Sequence, residues 1–453
     1  MYANTGYGPN FFILDIFHKD KLAVIEPDTA FWTIVEKDSI SSALSGEIVD
    51  EFEKRKEQFK KEMEYLRFRL KPSAVYFNPT ERCNFNCTYC YLPEKMRKEG
   101  RTMKRSEVED ALERLKSYFY EELRIEGKAQ VIFHGSEPMI AKDSIFPAIE
   151  RYTADFIFGI QTNGTLLERS DIDFLIKHNV GIGLSLDAPY REVADRVRKD
   201  WAGKGAFSKI VGLIDELSSY YGFNLIATVT KENVRYLSDM IDFCKKHNVS
   251  MIMLNPVRCT QKGGALLKPD EKELSENFLK AIEKVYQIYT ETGKKIIITN
   301  FTNILSGIIG PTTRKLMCDI SPCGGGRCFF AISAKGDLFP CSEFIGFPEF
   351  SGGNIFRDSI SDALKSTVFR SVTERKVEDI DPCKRCAIRN FCGAPCPAEV
   401  YSFYGDLRSP SPYCRFYEDL IRYAFRLIAE ERHEVYLWED WEEETVEEFR
   451  ISM

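Results

Sequence analysis

The residues of this chain best suited to chemistry are its cysteines. Cys83, Cys87 and Cys90 stand at C-x3-C-x2-C spacing directly after the short run Ala74-Val75-Tyr76-Phe77-Asn78. Nine of the fourteen cysteines fall between Cys318 and Cys414 at close intervals. Soft thiolates at such spacing suit iron–sulfur clusters or zinc. Both ordinarily take four protein ligands, and the first group offers three thiols with no histidine close by. One metal position is then left for an outside ligand. Clustered thiols in a chain of 453 residues point to metal rather than to the disulfide scaffold of a small secreted domain.

The rest of the composition narrows the setting. At this length two or three domains are expected. A formal net charge of −7 gives no electrostatic case for nucleic acid or an anionic membrane. No apolar run approaches the ~18–20 residues of a membrane span. The N-terminus shows no basic region followed by an apolar stretch, so no secretion signal is read. The expected compartment is a reducing, oxygen-poor cytoplasm.

Elements that would position the thiols follow from periodicity. Strand-like runs occur at Ala74–Phe77, Gln130–Phe133, Phe156–Gln161, Gly181–Leu186, Asn224–Thr230 and Ser250–Leu254. Helical stretches separate them at about 142–152, 168–178, 206–220 and 232–246. A further helix, with Val108, Leu112, Leu115 and Phe119 as its apolar stripe, is expected to open at Ser106 with Glu109 completing a capping box. Six strands joined by helical crossovers predict an α/β fold with a parallel sheet curled into a partial (β/α)6 barrel. In such sheets chemistry sits at the C-terminal strand ends. Upstream, Phe11–Ile16 and Leu22–Glu26 read as two strands joined by His18-Lys19-Asp20, followed by helices over Ser39–Leu44 and from Glu47 to about Leu70. That order is compatible with a small α+β, winged-helix module that would hold a leader peptide, or with a plain extension packed on the barrel. The division expected is 1–72, 73–300, 301–420 and 421–453, the last a helix and acidic tail whose Tyr436, Leu437, Trp438 and Trp441 favour packing.

The cysteine spacing and the aromatic before Cys90 resemble the cluster motif of the radical S-adenosylmethionine (radical SAM) enzymes. The strand ends are similar to other motifs of that family, in family order. His134-Gly135-Ser136-Glu137-Pro138 resembles Gly-Gly-Glu-Pro, with serine in place of the second glycine. The resemblance implies that Ser136 and Glu137 receive the methionine ammonium of SAM. It also implies that Asn163 lies near the cofactor, and that Ser185 and Asp187 approach the ribose and the methionine carboxylate. Asp195-x2-Arg198 followed by Gly203-x-Gly205 fits a further motif, with Arg198 pairing with the carboxylate. Leu254, with Asn255 and Val257, is expected to flank adenine.

The C-terminal cysteines are similar to the SPASM extension of the same family, which carries two auxiliary clusters. Cys323-x12-Gly336-x4-Cys341 is followed by Cys383-x2-Cys386-x5-Cys392-x3-Cys396 and then Cys414. Zinc knuckles remain the alternative on thiol count alone. By resemblance, Cys383, Cys386, Cys392 and Cys414 bind a distal cluster, and Cys323, Cys328, Cys341 and Cys396 a proximal one. Cys318 is either an alternative proximal ligand or a bystander. Cys244, on an apolar helix face, reads as a core thiol.

The family likeness implies SAM and three 4Fe–4S clusters as cofactors. It implies reductive cleavage of SAM to a 5′-deoxyadenosyl radical, and a flavodoxin- or ferredoxin-type electron donor. The expected function is oxidative modification of a ribosomally made, cysteine-containing precursor peptide, by thioether or other cross-link. The alternative is an anaerobic sulfatase-maturating enzyme that forms formylglycine. In those relatives an aspartate base follows the cysteine of the Gly-x4-Cys segment, whereas Ser342 follows Cys341 here.

Overall fold

A computed structural model describes residues 10–438 and Trp441. Its centre is a ten-stranded sheet in the order β10-β9-β8-β7-β6-β5-β4-β11-β12-β13. Strands β4 (Ala74–Phe77), β5 (Ala129–Phe133), β6 (Phe156–Thr162), β7 (Gly181–Ser185), β8 (Phe223–Val229) and β9 (Met251–Pro256) pair in chain order, all parallel. Helices connect consecutive strands, as parallel pairing requires. Strand β5 is buried at every residue, while β8 and β9 alternate buried and half-buried positions. One face of these strands therefore meets the helices and the other an inner space. The sheet does not close, which matches the expected partial barrel.

The sheet extends beyond the six expected strands. The short β10 (Ile297–Ile298) joins β9, and β11 (Phe329–Ile332) pairs parallel to the outer edge of β4, Phe329 opposite Ala74. β12 (Asp337–Phe339) and β13 (Gly353–Asn354) continue antiparallel. The cysteine-rich region is thus built directly onto the barrel's first strand. Cys244 lies fully buried in the main core, as read from its helix face.

Three local expectations need correction. The N-terminal module has a third strand: β1 (Phe12–Asp15), β2 (Lys21–Glu26) and β3 (Phe31–Glu36) form an antiparallel meander. The Glu26 carboxylate makes the second turn by accepting from the Thr29 N–H and hydroxyl at 2.8 and 2.7 Å. The two expected helices are one helical run from 37 to 69. Its apolar face puts Phe52 and Phe59 edge-on against Phe31. The capping box lies two residues earlier than expected, on Lys104 and Glu107, since Glu107 accepts from the Lys104 N–H at 2.8 Å. Glu109 pairs instead with Arg105 and Arg151.

At the other end, helix Cys414–Ala429 packs on Glu271–Thr292, and Phe425 meets Trp32 edge-on. Tyr436 and Leu437 are buried, Lys315 lies over the Trp438 ring, and the Trp441 indole N–H donates to Thr313 Oγ1 at 3.2 Å. The tail packs as far as it is described; residues 439–440 and 442–453 lie outside the described residues.

The N-terminal helix is tied to the cysteine-rich region by a buried arginine. Arg67 donates to both oxygens of Glu378 at 2.8 and 2.9 Å, and its Nε donates to the Ser321 carbonyl. Arg67→Ala is expected to destabilise the chain by about 1.5–3 kcal/mol in denaturant titration, because it removes two charge-assisted bonds. Arg67→Lys should recover only part of this, since an ammonium lacks the planar fork.

Candidate active site

The loop that carries Cys83, Cys87 and Cys90 leaves the C-terminal end of β4 with little secondary structure of its own. It is held by its surroundings. The Cys83 N–H donates to the Arg97 carbonyl at 2.9 Å, and the Trp201 indole donates to the Cys83 carbonyl at 2.8 Å. The Asn86 and Thr88 amides donate to the Lys199 and Val197 carbonyls at 2.7 and 3.0 Å. Buried Arg97 closes the loop from inside, donating to Asn86 Oδ1 and the Leu92 carbonyl. Nothing local in the sequence marks Arg97 or Trp201 for this work.

A small cleft opens beside the loop, lined by Phe85, Asn163, Ser185, Asp195, Arg198 and Phe207. Asn163, Ser185 and Arg198, three of the expected cofactor contacts, are therefore brought together. Asp195 shapes one wall: its carboxylate accepts the Phe207 N–H at 3.1 Å, and a Cβ on Gly205 would lie 1.9 Å from its Cγ. That close approach explains the glycine.

Other expected contacts act one step back. Glu137 is fully buried, accepting from Met139 N and Thr162 Oγ1 through Oε1, and from Asn163 N through Oε2, at 3.1, 2.6 and 2.8 Å. Burial raises its pKa against those bonds. The Ser136 hydroxyl donates to the Glu81 carbonyl at 2.6 Å, and Gly135, at φ +104°, lies where any Cβ would strike Asn78. Asp187 is also buried: Oδ2 accepts the Tyr89 hydroxyl at 2.5 Å and Oδ1 the Thr228 N–H at 2.9 Å. Arg198 Nη1 donates to the same Tyr89 oxygen at 2.6 Å. The aromatic of the cysteine motif thus links the loop to the β7 end. Leu254 is fully buried in the main core, its backbone bonded at both N–H and carbonyl to Asn300. Val257 instead packs with Tyr89 and Cys87.

The thiols fall into three neighbourhoods. Cys83, Cys87 and Cys90 sense one another, as do Cys383, Cys386, Cys392 and Cys414. In the third, Cys341 feels Cys396 and Cys318, and Cys318 feels Cys323 and Cys396. Cys328 feels only Cys323 among thiols, and lies fully buried in the main core. Cys323, Cys341 and Cys396 share a separate cluster with Cys90. Of the two candidates, Cys318 has more of the proximal thiols as electrostatic neighbours than Cys328 does.

Several of these sulfurs accept a backbone N–H from two residues on. Phe85 N to Cys83 and Gly325 N to Cys323 are each 3.4 Å, and Cys90, Cys341, Cys386 and Cys392 take the same bond from Leu92, Glu343, Ile388 and Ala394. Such bonds favour thiolate. Burial opposes them: Cys87 is pushed up to about 11, and Cys396 to about 12. Thiols gathered in groups, several of them accepting backbone N–H bonds while burial opposes their ionisation, fit a bound iron–sulfur cluster, which supplies positive charge. Among the described residues no three His, Cys, Asp or Glu side chains converge at the spacing of a single metal ion.

The loop and the proximal thiols border one packed cluster. Tyr91, Arg258, Cys318, Cys341, Glu343 and Cys396 are surrounded by protein, yet each keeps accessible surface. Arg258 Nη1 stands 3.5 Å from Glu399 Oε2, and Glu399 Oε1 accepts the Cys259 N–H at 2.9 Å. Burial raises Glu343 to about 7, with Arg258 lowering and Glu399 raising it. Arg258, Glu343 and Glu399 carry no motif and were not legible as site residues.

Comparison with known proteins agrees with this geometry. The radical SAM superfamily profile matches residues 77–244, and the SPASM iron–sulfur cluster-binding domain profile matches 323–387. An uncharacterised protein of Archaeoglobus fulgidus is 41% identical over 405 residues, 89% of this chain and 92% of that one. A cysteine-type anaerobic sulfatase-maturating enzyme of Clostridium perfringens is 25% identical, covering 79% of this chain and 98% of the enzyme. The solved structure of Streptococcus suis SuiB bound to its precursor peptide SuiA superposes at a TM-score of 0.59 with 13% identity, over 89% of this chain and all of that one. With the cluster loop at the end of β4 and the cysteine-rich region built on its other edge, the chain belongs to the radical SAM superfamily and carries a SPASM domain.

Proposed function

We propose that this protein is an oxidative peptide maturase that modifies a ribosomally made, cysteine-containing precursor by a thioether or other cross-link. The observation that carries the reading is that Cys90 of the cluster loop and Cys323, Cys341 and Cys396 of the proximal set border one packed cluster. A substrate there would meet both a hydrogen-abstracting centre and an electron acceptor. Bound beside the Cys83, Cys87 and Cys90 cluster, SAM would supply the radical chemistry that takes a hydrogen atom from the substrate.

The chain's own groups orient and enclose. Cys83, Cys87 and Cys90 would hold the first cluster, with Arg198, Asn163 and Ser185 in the cleft beside it for SAM. Glu137 and Asp187 fix the ends of β5 and β7, so those contacts are set before binding. Cys318, Cys323, Cys341 and Cys396 would hold the proximal cluster, and Cys383, Cys386, Cys392 and Cys414 the distal one. Reduction would come from a flavodoxin- or ferredoxin-type donor in a cytoplasmic setting. Residues 1–72 would serve as the leader-binding module, through the edges of the β1–β3 meander.

A second reading is sulfatase maturation, favoured by the Clostridium perfringens relative at 25% identity. Against it, the place expected for an aspartate base holds Ser342, bonded to the Tyr91 hydroxyl.

The ligand assignment predicts that Cys318→Ala lowers iron and sulfide content and weakens the absorbance near 400 nm, while Cys328→Ala retains both after anaerobic purification. The functional reading predicts loss of two hydrogens in a precursor peptide encoded beside this gene, seen by mass spectrometry after anaerobic co-expression and absent with Cys83→Ala. Formylglycine in a co-expressed sulfatase, with every neighbouring peptide unchanged, would promote the second reading.

A further inference from the structure

Five arginines among the described residues are buried: Arg67, Arg97, Arg314, Arg375 and Arg389. A guanidinium stays charged in a protein, and a buried charge is costly unless an opposite charge meets it. Three of the five meet one. Arg67 pairs with Glu378 at 2.8 Å, Arg314 with Asp319 at 3.2 Å, and Arg389 with Asp28. The other two, Arg97 and Arg375, have no carboxylate partner among the described residues, and both lie where thiols are gathered.

Arg375 follows the helix Thr367–Thr373 and gives its N–H groups to backbone carbonyls. Nη1 donates to Ala394 at 2.9 Å, Nη2 to Ser409 at 3.2 Å, and Nε to Leu407. Carbonyls satisfy the hydrogen bonds but carry no net charge. Ala394 lies in the link between Cys392 of the distal set and Cys396 of the proximal set. Leu407 and Ser409 lie on the segment that leads to Cys414. The guanidinium is therefore fixed against chain that belongs to both auxiliary sets. Burial holds its pKa below the ordinary value, and the thiols that oppose burial are Cys323 and Cys396, Cys383 and Cys392, two from each set.

A four-iron, four-sulfur core on four thiolates carries net negative charge and gains one more on reduction, so its potential responds to charge nearby. Such clusters supply the countercharge that no carboxylate provides. We propose that Arg375 is a fixed counter-cation shared by the proximal and distal auxiliary clusters, raising the reduction potential of both. Acting on both, it favours an added electron on either one. This inference rests on the ligand assignment given above and extends it to how the clusters' charge is compensated.

The test is an EPR-monitored redox titration of the full chain carrying Cys83→Ala, Cys87→Ala and Cys90→Ala, in which only auxiliary clusters contribute. In that background Arg375→Gln keeps N–H donors without the charge, and should lower both midpoint potentials. The reduced-to-oxidised ratio at a given potential should fall roughly tenfold, about 59 mV for a one-electron couple. Arg375→Lys keeps the charge and should retain most of both potentials. Unmoved potentials in Arg375→Gln with full iron, a shift of one cluster alone, or equal shifts in the two variants would each overturn the shared counter-cation. If Arg375→Gln loses iron, Arg375→Lys decides: full iron supports the role of charge, and loss of iron there too overturns it. No iron in the triple-alanine chain itself would overturn the ligand assignment and this inference with it.

Discussion

The arrangement depends on strand β4 being hydrogen-bonded along both edges. On one side it pairs in parallel with β5, whose end carries Ser136 and Glu137. On the other it pairs in parallel with β11, which leads through β12 to Cys341. The loop with Cys83, Cys87 and Cys90 leaves the end of β4 and so emerges between them. Asn78 N donates to the Ile332 carbonyl at 2.9 Å, and His134 N to the Phe77 carbonyl at 3.0 Å, which keeps the three strand ends level. Parallel pairing brings side chains far apart in sequence to one end of the sheet, where ligands bind in such folds. The packing of the cluster loop beside the proximal thiols is the direct result.

Electrostatics then sets the character of that region. Burial pushes the thiols up, and the N–H donors that oppose it point at sulfurs rather than at solvent. Arg97 and Arg198 lower Cys87 from within the protein. Groups so placed are poor as free thiols and well placed as ligands. The same low-dielectric surroundings hold His134, stacked with Tyr91, neutral down to about pH 4. A site that excludes water protects a reactive radical from quenching, and fixed donors and acceptors there act more strongly than in water.

Much of this was legible in the sequence because its signals are local. Apolar runs bounded by turn residues placed the six parallel strands, and the spacing of Cys383, Cys386, Cys392 and Cys414 agrees with their grouping in space. What was not legible depends on distant packing. Cys328 sits at a plausible interval from Cys323 but is fully buried in the main core ahead of β11, while Cys318 neighbours Cys323, Cys341 and Cys396. Leu254 and Asn255 differ by one residue, and strand alternation sends them to opposite faces. Glu137 and Asp187 carry motif positions, yet their oxygens are engaged by backbone amides that only the folded loops bring near. β3, with its Phe-Trp-Thr-Ile-Val run, carried a strand signal that the reading passed over.

The central claim is that three thiol neighbourhoods hold three clusters, two of them bordering one packed cluster. Mössbauer spectroscopy with iron quantitation on the anaerobically purified, iron-57-enriched chain tests it most directly. The account predicts about twelve iron per chain as 4Fe–4S clusters, and about eight when Cys83, Cys87 and Cys90 are all replaced by alanine. Bound zinc without iron, or an iron content that the triple replacement leaves unmoved, would contradict it.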